Sequence, residues 1–147
     1  MRETLIEARK ALAHADVPIG ALAVYQGQVI GRGHNTRELD HDPTGHAEMV
    51  ALRQAAKHLG HWRLDNVTLY CTLEPCCMCA GAMVLARLPR LVYAALDPKA
   101  GCAGSIVDIL RHPQLNHMVT VDVGLMADEA AQLLRDFFGD LRNPTSG

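Results

Sequence analysis

The sequence predicts an α/β fold: a three-layer α/β/α sandwich with helices covering a mixed central sheet of about five strands. Segments with helical apolar spacing alternate with short β-rich runs along the chain, and turns rich in glycine and proline separate them. With 147 residues and 49% hydrophobic content the chain can bury one core, and no break in composition suggests a linker, so residues 1–147 read as a single domain.

Taken in order, Leu5, Ile6, Arg9 and Leu12 fit an amphipathic first helix, and Asp16-Val17-Pro18 leads into a strand reaching Tyr25. Gln26-Gly27 reads as a turn, with a second strand through about Gly31. His34 to Asp42 is polar and turn-rich, and reads as a loop carrying Asn35. Over 44–59 alanine and leucine recur at helical spacing, with Thr44 the expected N-cap and Gly60 the expected stop. Residues 67–73 form a β-rich run, and 76–87 a second helix. Strands are expected at 91–96 and 119–123, joined by a glycine-containing loop over 97–105 and a short helix near 107–110. A last helix spans 127–138.

Net charge is formally −2, which argues against a generally sticky polyanion binder, because nonspecific nucleic-acid affinity comes from phosphate neutralisation by lysine and arginine. Any RNA grip must be local, with Arg87, Arg90, Lys99 and Arg111 as candidates. No apolar run approaches the roughly 18 to 20 residues that span a bilayer, and Met1-Arg2-Glu3-Thr4 lacks a signal-peptide core. A cytoplasmic protein with no membrane partner is expected. Five cysteines, three of them at 76, 77 and 79, suit a reducing compartment and a metal better than a disulfide framework. Cys71 and Cys102 read as small apolar residues, and Cys77 should point away from its two neighbours on a helix.

The chemistry is concentrated in His46-Ala47-Glu48 and Pro75-Cys76-Cys77-Met78-Cys79. One imidazole and two thiolates suit zinc, and three protein ligands leave a fourth tetrahedral position for solvent. Cys76 and Cys79, three apart at a helix start, share one face of the first turn, where the helix dipole favours thiolate. Glu48, two residues after His46, points toward the open position, where a carboxylate carries protons for a metal-activated water. Alone, the Cys-x-x-Cys segment suits a redox pair equally well; joined to His-x-Glu roughly 30 residues upstream it fits the zinc-deaminase signature.

With Pro18-Ile19-Gly20-Ala21, Gly33-His34-Asn35, Asp42-Pro43-Thr44-Gly45-His46-Ala47-Glu48, Thr72 to Met83, Gly101 to Ser105, Asn116-His117 and Asp136-Phe137-Phe138, nearly the whole chain resembles the bacterial tRNA-specific adenosine deaminases. The resemblance implies a cytidine-deaminase-like fold, a homodimer with one zinc ion per subunit, and hydrolysis of adenosine to inosine at the wobble position of a tRNA anticodon stem-loop. It makes His46, Cys76 and Cys79 the metal ligands and Glu48 the catalytic acid/base. By the same resemblance Asn35 bonds the base, Ile19, Ala47, Leu73 and Pro75 wall the pocket, and the loop of Asp97 flanks the nucleotide. His34, Thr36 and Gly45 depart from the family, which commonly has an aromatic, an arginine and an alanine there. A zinc deaminase of a free base or nucleoside, of guanine or cytosine type, shares the zinc motifs and is the alternative reading. A noncatalytic zinc-binding subunit would have no need of Glu48.

Overall fold

The structure, a computed structural model, describes residues 1–143. Helix α1 (Arg2–Arg9) continues as a 3-10 turn over Lys10–His14. Strands β1 (Gly20–Tyr25) and β2 (Gln28–His34) follow, then a single turn α2 (Arg37–Asp40), helix α3 (Ala47–Leu59), β3 (Val67–Leu73), α4 (Cys77–Leu85), β4 (Arg90–Ala95), β5 (Thr120–Val123) and α5 (Ala127–Arg142). The five strands form one mixed sheet in the order β2-β1-β3-β4-β5. β1 is antiparallel to β2 and β3, whereas β3, β4 and β5 run parallel.

The expected α/β architecture is what the chain adopts. One core joins Ala21, Ala23, Leu69, Cys71, Leu91 and Tyr93 of the sheet to α3 and α4. A second, on the other face, joins Ala94 and Ala95 to Leu5 and Ala8 of α1 and Ala130 and Leu133 of α5. Because both faces are covered, the interior strand β4 is buried from Leu91 to Ala95, which explains its unbroken apolar run. β5 lies at the sheet edge and is largely exposed. Gln26 and Gly27 both take positive φ (50° and 76°), giving the two-residue turn whose twist matches the β1–β2 hairpin. Among the described residues no helix is long and apolar enough to cross a membrane.

Several elements differ from the sequence expectation. β2 runs past Gly31 to His34, because its glycines serve packing: a Cβ on Gly31 would stand 2.3 Å from the Ala51 carbonyl oxygen, and one on Gly33 2.1 Å from that of Ala47. Those two glycines let α3 lie directly against β2, which brings Asn35 beside the start of α3. We expect Gly33→Ala to cost about 1–3 kcal/mol or more of stability, since rigid backbone must move to admit the methyl group. The urea midpoint of folding checks this, and an unchanged midpoint would contradict the packing.

His46, with extended backbone, is the N-cap of α3, and Thr44 is not: its N–H and hydroxyl both donate to Asp42 Oδ1 at 2.8 Å in a preceding turn. The loop after Asn35 contains the short α2, whose first N–H groups are held by the buried Asp16 carboxylate through Glu38 (3.0 Å) and Leu39 (3.3 Å). No helix forms at 107–110; Ala103 bridges Asp108 as antiparallel backbone and the Gly104 N–H donates to Val107 O, so the run folds back on itself. On α1 the buried face is Thr4, Leu5, Glu7 and Ala8, while Ile6 (62% exposed) faces outward, as does Leu12 (44%) in the 3-10 turn, where the backbone has left the α-helical period on which the expected stripe rested.

Candidate active site

Two helix starts converge at the site. His46 is the N-cap of α3 and Cys76 the N-cap of α4, so Glu48 falls in the first turn of one helix and Cys79 in the first turn of the other. His46 Nδ1 stands 3.5 Å from Cys76 Sγ and 3.5 Å from Cys79 Sγ. These ligand atoms all lie within 4.8 Å of one another, a cluster that could hold a metal ion. The donor set, one imidazole and two sulfurs on rigid helix ends, fits zinc with an open fourth position. Cys77 is exposed and outside the cluster, as the helical spacing requires.

The protonation states within the cluster follow from contact and burial. The Cys79 thiol hydrogen-bonds Cys76, and this bond, with help from His46 against opposing burial, brings Cys76 down to about 3. The same bond, then burial, pushes the Cys79 thiol up, and the Cys76 contact raises the His46 imidazole. Glu48 is 4% exposed, and its Oε2 lies 3.3 Å from the Cys79 sulfur. Burial raises its carboxyl above its ordinary value.

These groups lie in a cavity of about 560 Å³, a volume suited to a small ligand. Ile19, Asn35, His46, Glu48, Leu73, Cys76 and Asp97 line it, so the structure brings together most of the residues singled out from the sequence. Ala47 (0% exposed) and Pro75 are buried beside it without lining it. Asn35 Oδ1 accepts the Ala47 N–H at 3.0 Å, which orients the carboxamide and turns its NH2 group away from that bond. His34 is not at the cavity; its Nδ1 lies 3.0 Å from Glu7 Oε1 on α1.

The lining is completed by Arg37 from α2, by Leu134 and Arg142 of α5 and by Val17 and Leu96, none singled out in the sequence, and by Phe138 of α5 and Glu74, which belong to segments that carry the family resemblance. The α5 trio recurs every four residues, so a helical stripe was visible, but only the tertiary fold says what it faces. Of the candidate RNA contacts, Lys99 is at the mouth, whereas Arg90 pairs with Asp122, Arg111 with Asp108, and Arg87 donates to Val84 O. His117 does not reach the site either, its Nε2 lying 2.6 Å from Leu88 O.

Glu74 organises the loop over 97–105. Its carboxylate, 2% exposed, accepts the N–H groups of Asp97 (3.1 Å), Ala103 (3.1 Å) and Ser105 (3.0 Å) and the Ser105 hydroxyl. A Cβ on Gly101 would sit 2.3 Å from the Glu74 carboxyl carbon, so only glycine lets the loop close around it. Burial works to raise the Glu74 carboxyl, but the four hydrogen bonds outweigh it and hold it below its ordinary value. A depressed folded pKa stabilises the protein fully above about pH 5, and that contribution fades as pH falls through the unfolded and then the folded value. Glu74→Gln should therefore cost about 2–4 kcal/mol at neutral pH and flatten the loss of stability below about pH 5. Denaturation midpoints at several pH values check both effects; parallel wild-type and variant curves would refute them.

Residues 1–142 match the family model for MafB19-like deaminases. The tRNA-specific adenosine deaminase of Bacillus subtilis is 46% identical over 142 residues, covering 97% of this chain and 88% of that one. A solved structure from work on A-to-I editing by tRNA:A34 deaminases at the wobble position superposes with a TM-score of 0.87 at 44% identity, over 91% of this chain and 97% of the other. A guanine deaminase from Bacillus subtilis superposes at 0.64 with 30% identity, over 99% and 93% of the two chains.

Proposed function

This chain is a MafB19-like deaminase that belongs with the tRNA-specific adenosine deaminases, and from that premise we propose that it hydrolyses adenosine to inosine at the wobble position of a tRNA anticodon. The observation that carries the reading is a buried carboxylate, Glu48, beside a His-Cys-Cys cluster in a cavity whose mouth bears three cations. His46, Cys76 and Cys79 would hold one zinc ion, and bound zinc would supply an acidified water as nucleophile.

The chain's own residues do the rest. Glu48 accepts one proton from water as its oxygen adds to C6 and delivers it to ring N1, then takes the second from the new C6 hydroxyl and delivers it to the departing amino group, so ammonia leaves and inosine remains. Asn35, its carboxamide fixed by Ala47, presents NH2 donors to the acceptor edge of the base. Ile19 and Leu73 wall the ring, with Ala47 and Pro75 packed behind them. Asp97 Oδ1 accepts the N–H groups of Lys99 (3.0 Å) and Ala100 (3.1 Å), which holds the nucleotide-flanking loop in shape.

Arg37, Lys99 and Arg142 suit the phosphates on either side of the reacting nucleotide, and Phe138 offers a face on which an unpaired loop base can stack. A free base carries no phosphate, so these cations favour an RNA substrate over the guanine-type reading. We read residues 1–147 as one cytoplasmic deaminase domain acting as a homodimer, for which the exposed Leu85, Ile106 and Val107 supply apolar surface.

The test is the affinity of an anticodon stem-loop for the Lys99→Ala and Arg142→Ala variants across a salt series. Each should weaken binding several-fold and lower the salt slope by about 1, while free-base binding is unmoved. Unchanged stem-loop affinity in both would overturn the RNA reading.

A further inference from the structure

Cys77 stands between the two sulfur ligands in sequence yet turns to a different partner: its sulfur lies 2.6 Å from Cys102 Sγ, on the loop after β4. Cys77 is exposed, whereas Cys102 is 1% exposed. The backbones around the pair are already joined, because the Cys102 N–H donates to Pro75 O at 2.8 Å and the adjoining Ala103 N–H is bound to Glu74. Neither sulfur lines the cavity or belongs to the ligand cluster, so the proposed reaction leaves the pair without a role.

We infer that Cys77 and Cys102 are an oxidation site for small hydroperoxides, with Cys77 the reachable sulfur and Cys102 the one that resolves it into a disulfide. Hydrogen peroxide takes two electrons from the Cys77 sulfur, giving a sulfenic acid and one water. The Cys102 sulfur then attacks that sulfur, and its proton leaves with the displaced hydroxyl as a second water. Two thiols and one peroxide thus become one disulfide and two waters. The sulfurs need only a short approach to reach a bond of about 2.05 Å. The cross-link ties the first turn of α4 to the loop that carries Asp97 and Lys99 to the cavity mouth. It also consumes oxidant at the exposed sulfur, ahead of the half-buried Cys76 and buried Cys79; that protective consequence rests on the zinc reading above, and the cross-link itself does not.

The experiment treats zinc-loaded protein with hydrogen peroxide, alkylates the remaining thiols, and maps the unreduced tryptic digest by fragmentation, with zinc measured before and after. A Cys77–Cys102 linked peptide, reversed by dithiothreitol, with zinc retained, is the expected result. Cys77→Ser should give no linked peptide and should lose zinc at lower peroxide than the parent protein. Linkage of Cys76 to Cys79 with zinc released, or alkylatable Cys77 and Cys102 after treatment, would overturn the inference. Protein that holds no zinc at the outset contradicts the metal reading instead, and the cross-link is then judged on the linked peptide alone.

Discussion

Glu48→Gln is expected to abolish measurable deamination, lowering kcat by about 10²–10⁴-fold, while zinc content, fold and stem-loop affinity stay as they are. Glutamine has nearly the same volume and keeps a hydrogen-bonding atom where the Cys79 thiol now reaches the carboxylate at 3.3 Å, so packing at this buried site is preserved. What it removes is a group able to take up and release a proton, one whose carboxyl burial raises above its ordinary value. Turnover of a stem-loop, zinc analysis and a binding isotherm on one preparation separate these effects. A variant that keeps its rate refutes the role, and one that loses zinc makes Glu48 a ligand rather than a proton carrier.

Cys79→Ala should act on a different link of the chain. Cys79 is wholly buried in the first turn of α4, and its sulfur sits in the His-Cys-Cys cluster that could hold a metal, against Glu48. Its loss leaves two ligands, which hold zinc poorly, and it removes the group against which the buried Glu48 carboxylate rests. Because metal binding energy is folding energy in such sites, zinc stoichiometry should fall from one per chain toward zero and soluble yield with it. Soluble, zinc-loaded Cys79→Ala protein would mean that the ligand set is misassigned. The two substitutions together are diagnostic: one silences the reaction in an intact site, the other dismantles the site.

The His-Cys-Cys cluster and the carboxylate beside it were legible because their motifs are local. His-x-Glu and Cys-x-x-Cys each need only a helix start to converge, and the structure puts His46 and Cys76 at N-cap positions. The alternation of helix-periodic and β-rich segments likewise carried the sheet, since burial on both faces leaves its mark on a strand such as β4. What could not be read depends on neighbours far away in the chain. Gly31 and Gly33 looked like the end of a strand, yet they are glycine because α3 lies on them. Thr44 had the chemistry of an N-cap, but Asp42 claims its hydroxyl first. The apolar run near 107–110 was too short to hold a helix against its own bridge to Ala103. Arg37 and Arg142 come to the cavity mouth from α2 and α5 with no motif of their own, and the Asp136-Phe137-Phe138 segment does not itself say that Phe138 faces the cavity. Only the fold reveals that Arg37, Lys99 and Arg142 gather at one opening on a chain whose net charge is −2.

The most direct measurement is the nucleoside composition of an anticodon stem-loop, with adenosine at the wobble position and at one other loop position, after incubation with zinc-loaded protein, beside free adenosine, adenine, cytosine and guanine. Inosine replacing adenosine at the wobble position alone, with the free compounds untouched, is the predicted result. An unaltered stem-loop together with deamination of a free base would contradict it.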